Sequence, residues 1–380
     1  MGDYVRQMPG ERAGLQDSAS LARRLHLDLP LLLLLLVVAG LGLVVLYSAS
    51  GQQLGAVIRQ AQYLLVACTV LLVAAQIDVQ RYARWAPWLY AGGVLLLVAV
   101  VFFGVGAKGA QRWLSIGGFR FQPSEIMKLC MPLMMAWFLA GRGLPPRFTL
   151  VLGSLAIVIL PAGLILVQPD LGTSLLIAAS GLFVLFLAGI GWRYIGGAVL
   201  LAVLSAWPAW MYLLKDYQRQ RILTLLDPES DKLGAGWNII QSKTAIGSGG
   251  WEGKGWLQGT QSQLDFLPEG HTDFIIAVLA EEFGLRGVLI LLALYLLILL
   301  RGFWIAANAP STFGRLVAGS LTLTFFVYIF VNMGMVAGLL PVVGVPLPLV
   351  SAGGTSLVTL MAGFGVLMAV ATEPRTVIPR

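Results

Sequence analysis

Residues 271–300, HTDFIIAVLAEEFGLRGVLILLALYLLILL, run from a polar lip into a stretch of leucine, isoleucine and valine. As a helix this segment exceeds the 18 or so residues that cross roughly 30 Å of hydrocarbon. Comparable apolar runs recur along the 380 residues, of which 58% are hydrophobic and 11% charged; a globular domain carries about 25% charged residues. The chain therefore reads as an all-α polytopic membrane protein. Hydropathy places ten spans, at 29–49, 57–77, 87–105, 123–140, 148–167, 173–190, 194–214, 273–300, 315–338 and 350–371. Forty-five glycines suit the close packing of such helices.

The implied organisation is a cytoplasmic tail (1–28), one transmembrane domain (29–371) and a short cytoplasmic tail (372–380). The first apolar run is too long for a secretory signal and lacks a small-residue cleavage site, so it reads as an uncleaved helix. Between spans seven and eight lies a segment, 215–272, too polar to span and too short for a full domain; its glycine-rich centre, GSGGWEGKGWLQGTQSQ, suggests a loop folded over the outer face. Cys68 and Cys130 both fall in spans and read as small core residues rather than a disulfide.

With the N-terminus inside, the tails and short inner loops hold thirteen basic and six acidic residues, which account for the whole net charge of +7. Every short inner connection is basic, as the positive-inside rule expects. The charge thus reports orientation rather than affinity for nucleic acid. The remaining charges are balanced and concentrate in two outer segments, 106–125 (GAKGAQRWLSIGGFRFQPSE) and 215–272.

Several polar residues need a reason for their place. Asp273 stands at the lip of span eight, where it is either a helix cap or a partly desolvated carboxylate suited to proton abstraction. Glu125 and Lys128 are three apart behind Pro123, a residue that suits a first helical turn, and so share one face of span four. Charges within a span cost ~2.5–3.5 kcal/mol each and face a partner or a watery cavity; the choice is between a structural ion pair and a substrate pocket. Arg112 and Arg120 on the preceding loop have the fork of donors that binds phosphate. Trp113 offers a face for a sugar or an anchor at the interface, and Arg59 is a weaker candidate for the same cavity. Ser351, Gly353 and Gly354, in the helix-breaking LPVVGVPLPLVSAGGTS, form either a tight turn or a set of donors for an anion. Glu282 and Arg286 have the four-residue spacing of a helical ion pair, while Lys243 and Lys254 read as solvated lysines ahead of the alternative, contacts to phosphate. Asp170, in QPDLG, reads as a loop or cap acid. No metal motif, nucleotide loop or serine triad is present.

The segments LDPESDKLGAGWNIIQSKTAIGSGG, GKGWLQGTQSQLDFLPEGHTDF, GAQRWL, FQPSEIMK, QPDLGTS and LPVVGVPLPLVSAGG resemble the SEDS family of shape, elongation and division proteins, and most closely its elongation branch. The resemblance covers all ten spans. It departs from the family pattern at Gly270 and Ala352. It implies a peptidoglycan glycosyltransferase of the bacterial inner membrane that polymerises lipid II, with inversion at the sugar, beside a class B penicillin-binding protein that crosslinks the product. The sequence itself calls for no cofactor, and it neither requires nor excludes a divalent cation on the pyrophosphate. Under this reading Asp273 is the general base, Glu125 and Lys128 are catalytic neighbours, and Arg112, Trp113, Arg120, Arg59, Ser351, Gly353 and Gly354 contact substrate. These groups must then gather in one outward-facing hollow. Two other classes compete: a flippase for the lipid-linked precursor, against which the crowding of polar residues in the outer half argues, and a non-catalytic scaffold for the penicillin-binding protein.

Overall fold

The computed structural model describes residues 26–107, 110–116, 119–214, 216–231, 234–263, 267 and 269–374. Most of the expected N-terminal tail, and all but three residues of the C-terminal one, lie outside them.

Helix α1 (Leu29–Ala49) begins at Asp28, whose carboxylate accepts from Leu31 N at 3.0 Å, with proline in the first turn. It is followed by α2 (Leu54–Ala75) and α3 (Val79–Phe103), then by strands β1 (Val105–Ala107), β2 (Ala110–Ile116) and β3 (Phe119–Phe121). Next come α4 (Pro123–Ala140), α5 (Phe148–Val167), α6 (Leu171–Leu187) and α7 (Trp192–Pro208, with a π-helical turn to Leu213). The long polar segment carries α8 (Asp216–Leu226), a 3₁₀ turn at Pro228–Asp231, α9 (Ala235–Gly249) and the short α10 (Thr260–Gln263). The chain closes with α11 (Ile275–Asn308), α12 (Thr312–Val336) and α13 (Thr355–Ala371).

Among the described residues, seven helices are long and apolar enough to cross a membrane: α1, α2, α3, α5, α7, α11 and α12. The other three expected spans are α6 and α13, at 17 residues each, and α4, which carries the charges of Glu125 and Lys128. The chain is thus a multi-pass, all-α membrane protein. Helix α4 is central: Met127, Met131, Met135 and Leu139, a stripe at four-residue spacing, are fully buried. Around it, α3 packs on α4, α12 on α6, and α13 along α2. The last contact is close because Gly365 lacks a side chain; a Cβ there would stand 2.5 Å from Leu71 O. Helix α7 buries no residue. Both cysteines are free.

Four sequence expectations change. The loop 106–125 is a three-stranded antiparallel sheet, with Val105 opposite Trp113 and Ser115 opposite Arg120. Span three begins eight residues early, so Arg81 and Arg84 sit on the first turns of α3 rather than in a loop. The segment 215–272 is largely helical, and α9 packs against α11. Finally, span eight is not one helix. Gly284 (φ +65°, ψ −165°) divides α11 into two helical segments, in a backbone region open essentially to glycine alone.

The break at Gly284 leaves helix-end groups that need partners, and the glycine-rich run supplies them. Lys254 N and Gly255 N donate to Glu281 O and Glu282 O at 2.9 and 3.0 Å. Leu285 N and Arg286 N donate to Gly250 O and Trp251 O at 2.9 and 3.3 Å. The approach is possible because both sides lack side chains: a Cβ on Gly284 would lie 2.4 Å from Gly253 N. The segment 275–283 is thereby a half-helix, with all but Phe283 buried, and Asp273 stands at its N-terminal end.

Candidate active site

Pro123 occupies the first turn of α4, which places Glu125 in that turn and Lys128 three residues on. Their side chains meet at 2.7 Å and are only 8% and 11% exposed. Ser356, from the first turn of α13, donates to the same Glu125 oxygen at 3.2 Å. Lys128 Nζ also lies over the Tyr328 ring of α12, 5.3 Å from its centre, a cation–π arrangement. The other carboxylate oxygen, Glu125 Oε2, is buried without a hydrogen-bond partner among the described residues. Buried acceptors are normally satisfied, and this oxygen is the one polar atom of the pair that is not.

Glu125, Lys128, Tyr328, Ser351, Gly353 and Ser356 line a cavity that continues between α12 and α13 along Leu321, Phe325, Leu360, Phe364 and Leu367. It is ionic at one end and apolar along its length, a shape suited to an amphiphile. The stretch 346–349 forms one wall.

Asp273 is half-buried in the turn before α11 and is not among the residues lining that cavity. Asp273 is tied to the cavity wall instead: Asn332 donates to Asp273 O at 2.8 Å and to Val345 O at 2.7 Å, one helical turn from Tyr328. Beside its carboxylate stands Gly344, where an added Cβ would lie 3.6 Å from Asp273 Oδ2. The missing side chain keeps that approach open.

The remaining candidates fall differently. Arg112 is engaged with Asp170, at 3.7 Å, and with Pro169 O at 2.5 Å; Asp170 itself caps α6 by accepting from Thr173 N. Trp113 is half-buried on β2, and Arg120 is on β3, with its side chain outside the described set. Arg59 is exposed and does not line the cavity; its neighbour Gln60 is the buried one, donating to Ser351 O at 3.3 Å and accepting from Gly353 N at 3.2 Å. That bond corrects the idea of Gly353 as a free anion donor. Ser351 is likewise committed, donating to Thr272 O at 2.5 Å and accepting from Leu347 N at 2.9 Å. Gly354 lies against the Tyr63 ring, 2.8 Å from an added Cβ.

The expected Glu282–Arg286 pair does not form. Arg286 meets Glu252, and Glu282 takes the Ser48 hydroxyl, because the break at Gly284 destroys the four-residue register. Lys254 is not a solvated lysine: it pairs at 2.7 Å with Glu281, a fully buried carboxylate that also accepts from Thr260 N and Gln261 N. Sequence reasoning missed Gln60, Tyr328, Asn332 and Ser356. The available signal was a polar side chain inside an apolar helix, without a charge to draw attention. No group of three or more His, Cys, Asp or Glu side chains is placed to hold a metal among the described residues.

Comparison with known proteins places the whole chain among relatives of one family. The profile of the FTSW_RODA_SPOVE family, described as cell cycle protein, matches residues 28–376. Over 350 residues the chain is 57% identical to the peptidoglycan glycosyltransferase MrdB of Escherichia coli (strain K12), covering 92% of this chain and 95% of that one. It is 38% identical to the probable peptidoglycan glycosyltransferase FtsW of Trichlorobacter lovleyi, over 90% of this chain and 92% of the relative. A chain from a peptidoglycan synthase complex that coordinates polymerization and crosslinking superposes with a TM-score of 0.80 at 33% identity, over 90% of this chain and 97% of that one. The rod shape determining protein RodA of Thermus thermophilus superposes at 0.68 with 30% identity, over 90% and 96%.

Proposed function

From a chain that belongs to the FTSW_RODA_SPOVE family of cell cycle proteins, we infer the reaction, the substrate and the side of the membrane on which it works. The chain is a peptidoglycan glycosyltransferase. Its proposed substrate is lipid II, a disaccharide carried on a lipid pyrophosphate, and its setting is cell elongation. The proposed location is the bacterial inner membrane, with the termini in the cytoplasm and the 216–274 end of the bundle outside. The basic inner loops support that orientation. A class B penicillin-binding protein is the proposed partner, in line with the synthase complex to which the fold is similar.

The single observation that carries the reading is the buried Glu125–Lys128 pair at the ionic end of an otherwise apolar cavity. Lys128 offers a point charge to pyrophosphate, and the Glu125 carboxylate holds that charge in place. The apolar length between α12 and α13 suits a lipid chain. Asp273, linked through Asn332 to Val345 at the edge of the 346–349 wall, takes the proton from the 4-hydroxyl of the acceptor sugar. That oxygen forms a bond to the anomeric carbon of the donor. The bond from that carbon to pyrophosphate breaks, its electron pair leaves on phosphate beside Lys128, and the configuration inverts. Stabilising charge that develops on a leaving group is commonly worth 10²–10³ in rate.

The test is polymerisation of lipid II by the purified chain with its penicillin-binding protein. Asp273→Asn removes the base and is expected to abolish polymer while substrate still binds. Normal polymerisation by that variant would remove Asp273 from its role. Lipid scrambling without polymer would return the flippase reading.

A further inference from the structure

Three consecutive peptide carbonyls carry the turn on which Asp273 sits. His271 O, Thr272 O and Asp273 O accept from Ala352 N at 3.0 Å, Ser351 Oγ at 2.5 Å and Asn332 Nδ2 at 2.8 Å. Two of these donors belong to the loop before α13. The third belongs to α12, a packed helix, and is the only one that reaches the acid's own peptide.

Asn332 is fully buried. Its amide nitrogen has two hydrogens, and both are used: one on Asp273 O, the other on Val345 O at 2.7 Å. This sets the orientation of the amide, since an oxygen turned toward two carbonyl oxygens would be repelled. Its Oδ1 is then left buried and without a partner among the described residues. The amide thus spends both donors on two carbonyls while its acceptor is left unused. The two carbonyls are also well chosen. One belongs to the acid, and the other to the residue following Gly344, the glycine that faces the acid's carboxylate. A single amide therefore fixes both sides of the slot in which a hydroxyl would meet Asp273.

We propose that Asn332 is a positioning residue for Asp273, holding the acid's peptide and the Gly344–Val345 stretch at one spacing so that the carboxylate meets the acceptor hydroxyl at hydrogen-bond reach. The proposal rests on Asp273 being the general base. Proton abstraction requires a heavy-atom approach of ~2.6–3.2 Å, and a displacement of about 1 Å costs on the order of 10²-fold in rate. Asn332 touches neither substrate nor the transferred proton; it acts through the acid.

The experiment uses Asn332→Leu, nearly isosteric and without donors, in the full chain with its partner and lipid II. The expected result is a kcat lower by about 10²-fold with KM unchanged. In an Asp273→Glu background, where the carboxylate is already displaced by one methylene, the loss should largely vanish, because both changes act on the same placement. Asn332→His restores one N–H at the position of the amide nitrogen and should recover part of kcat; it also stands in if the leucine variant does not fold. Equal losses in both backgrounds, a raised KM at parental kcat, or parental kcat in Asn332→Leu would overturn the proposal. If Asp273→Asn is inactive while Asn332→Leu turns over normally, the base survives and only the positioning role falls. If Asp273→Asn polymerises, the base itself falls.

Discussion

Lys128→Met separates the two things a buried ion pair can do. Methionine keeps most of the side-chain length and removes the charge, which leaves Glu125 as a carboxylate 8% exposed with Ser356 as its remaining side-chain donor. Breaking a buried pair by removing one partner costs ~3–5 kcal/mol, so Lys128→Met should unfold at a clearly lower temperature in detergent. Replacing both members with neutral residues behaves differently. The desolvation cost of both ions disappears along with their attraction, and such replacements are often neutral or stabilising by about 1–4 kcal/mol. The double variant Glu125→Gln/Lys128→Met should therefore regain parental thermal stability.

Turnover should not follow stability. If Lys128 neutralises the departing pyrophosphate, both the single and the double variant lose it, and each should polymerise lipid II about 10²–10³-fold more slowly. The assay pairs thermal unfolding with polymer formation from labelled lipid II on the same preparations. Recovery of turnover together with stability in the double variant would show that the pair is only a strut, and the chemical role given to Lys128 would fail.

Two further outcomes concern the break in α11. Gly284→Ala places a Cβ 2.4 Å from Gly253 N in a backbone region that side chains avoid. It should lower the unfolding temperature by the equivalent of at least about 1–3 kcal/mol; an unchanged melting profile would mean that the break is not needed. Glu281→Leu strands Lys254, Thr260 N and Gln261 N at once. It should cost ~3–5 kcal/mol and expose residues 250–263 to proteolysis and hydrogen exchange, whereas parental protection there would show that Glu281 does not hold the segment down.

What the sequence revealed, and what it hid, follows from the range of each interaction. The helices were legible because a run of apolar residues long enough to cross a bilayer is a local property, and so was the Glu125–Lys128 pair, set by three positions on one helix. The break at Gly284 was hidden because its cause lies elsewhere: the apolar pattern runs straight through it, and only the glycine run thirty or so residues earlier supplies the donors and acceptors that make it stable. That one unread glycine also explains the wrong pairing, since the four-residue rule for Glu282 and Arg286 assumes a continuous helix. The error at Arg59 is of another kind. Charge attracted attention to an exposed side chain, while Gln60, one position and about a third of a turn away, holds the loop around Ser351 and Gly353. Gln60, Tyr328, Asn332 and Ser356 are all neutral. A neutral polar group costs less to place in a span than a charge does, so it marks the sequence faintly. Yet once buried it still demands directional partners, and those partners bind the Asp273 turn and its neighbouring loop to the wall of the cavity. In such a bundle the charged residues announce where chemistry is wanted, and the neutral ones, unreadable until folded, decide whether the charges meet.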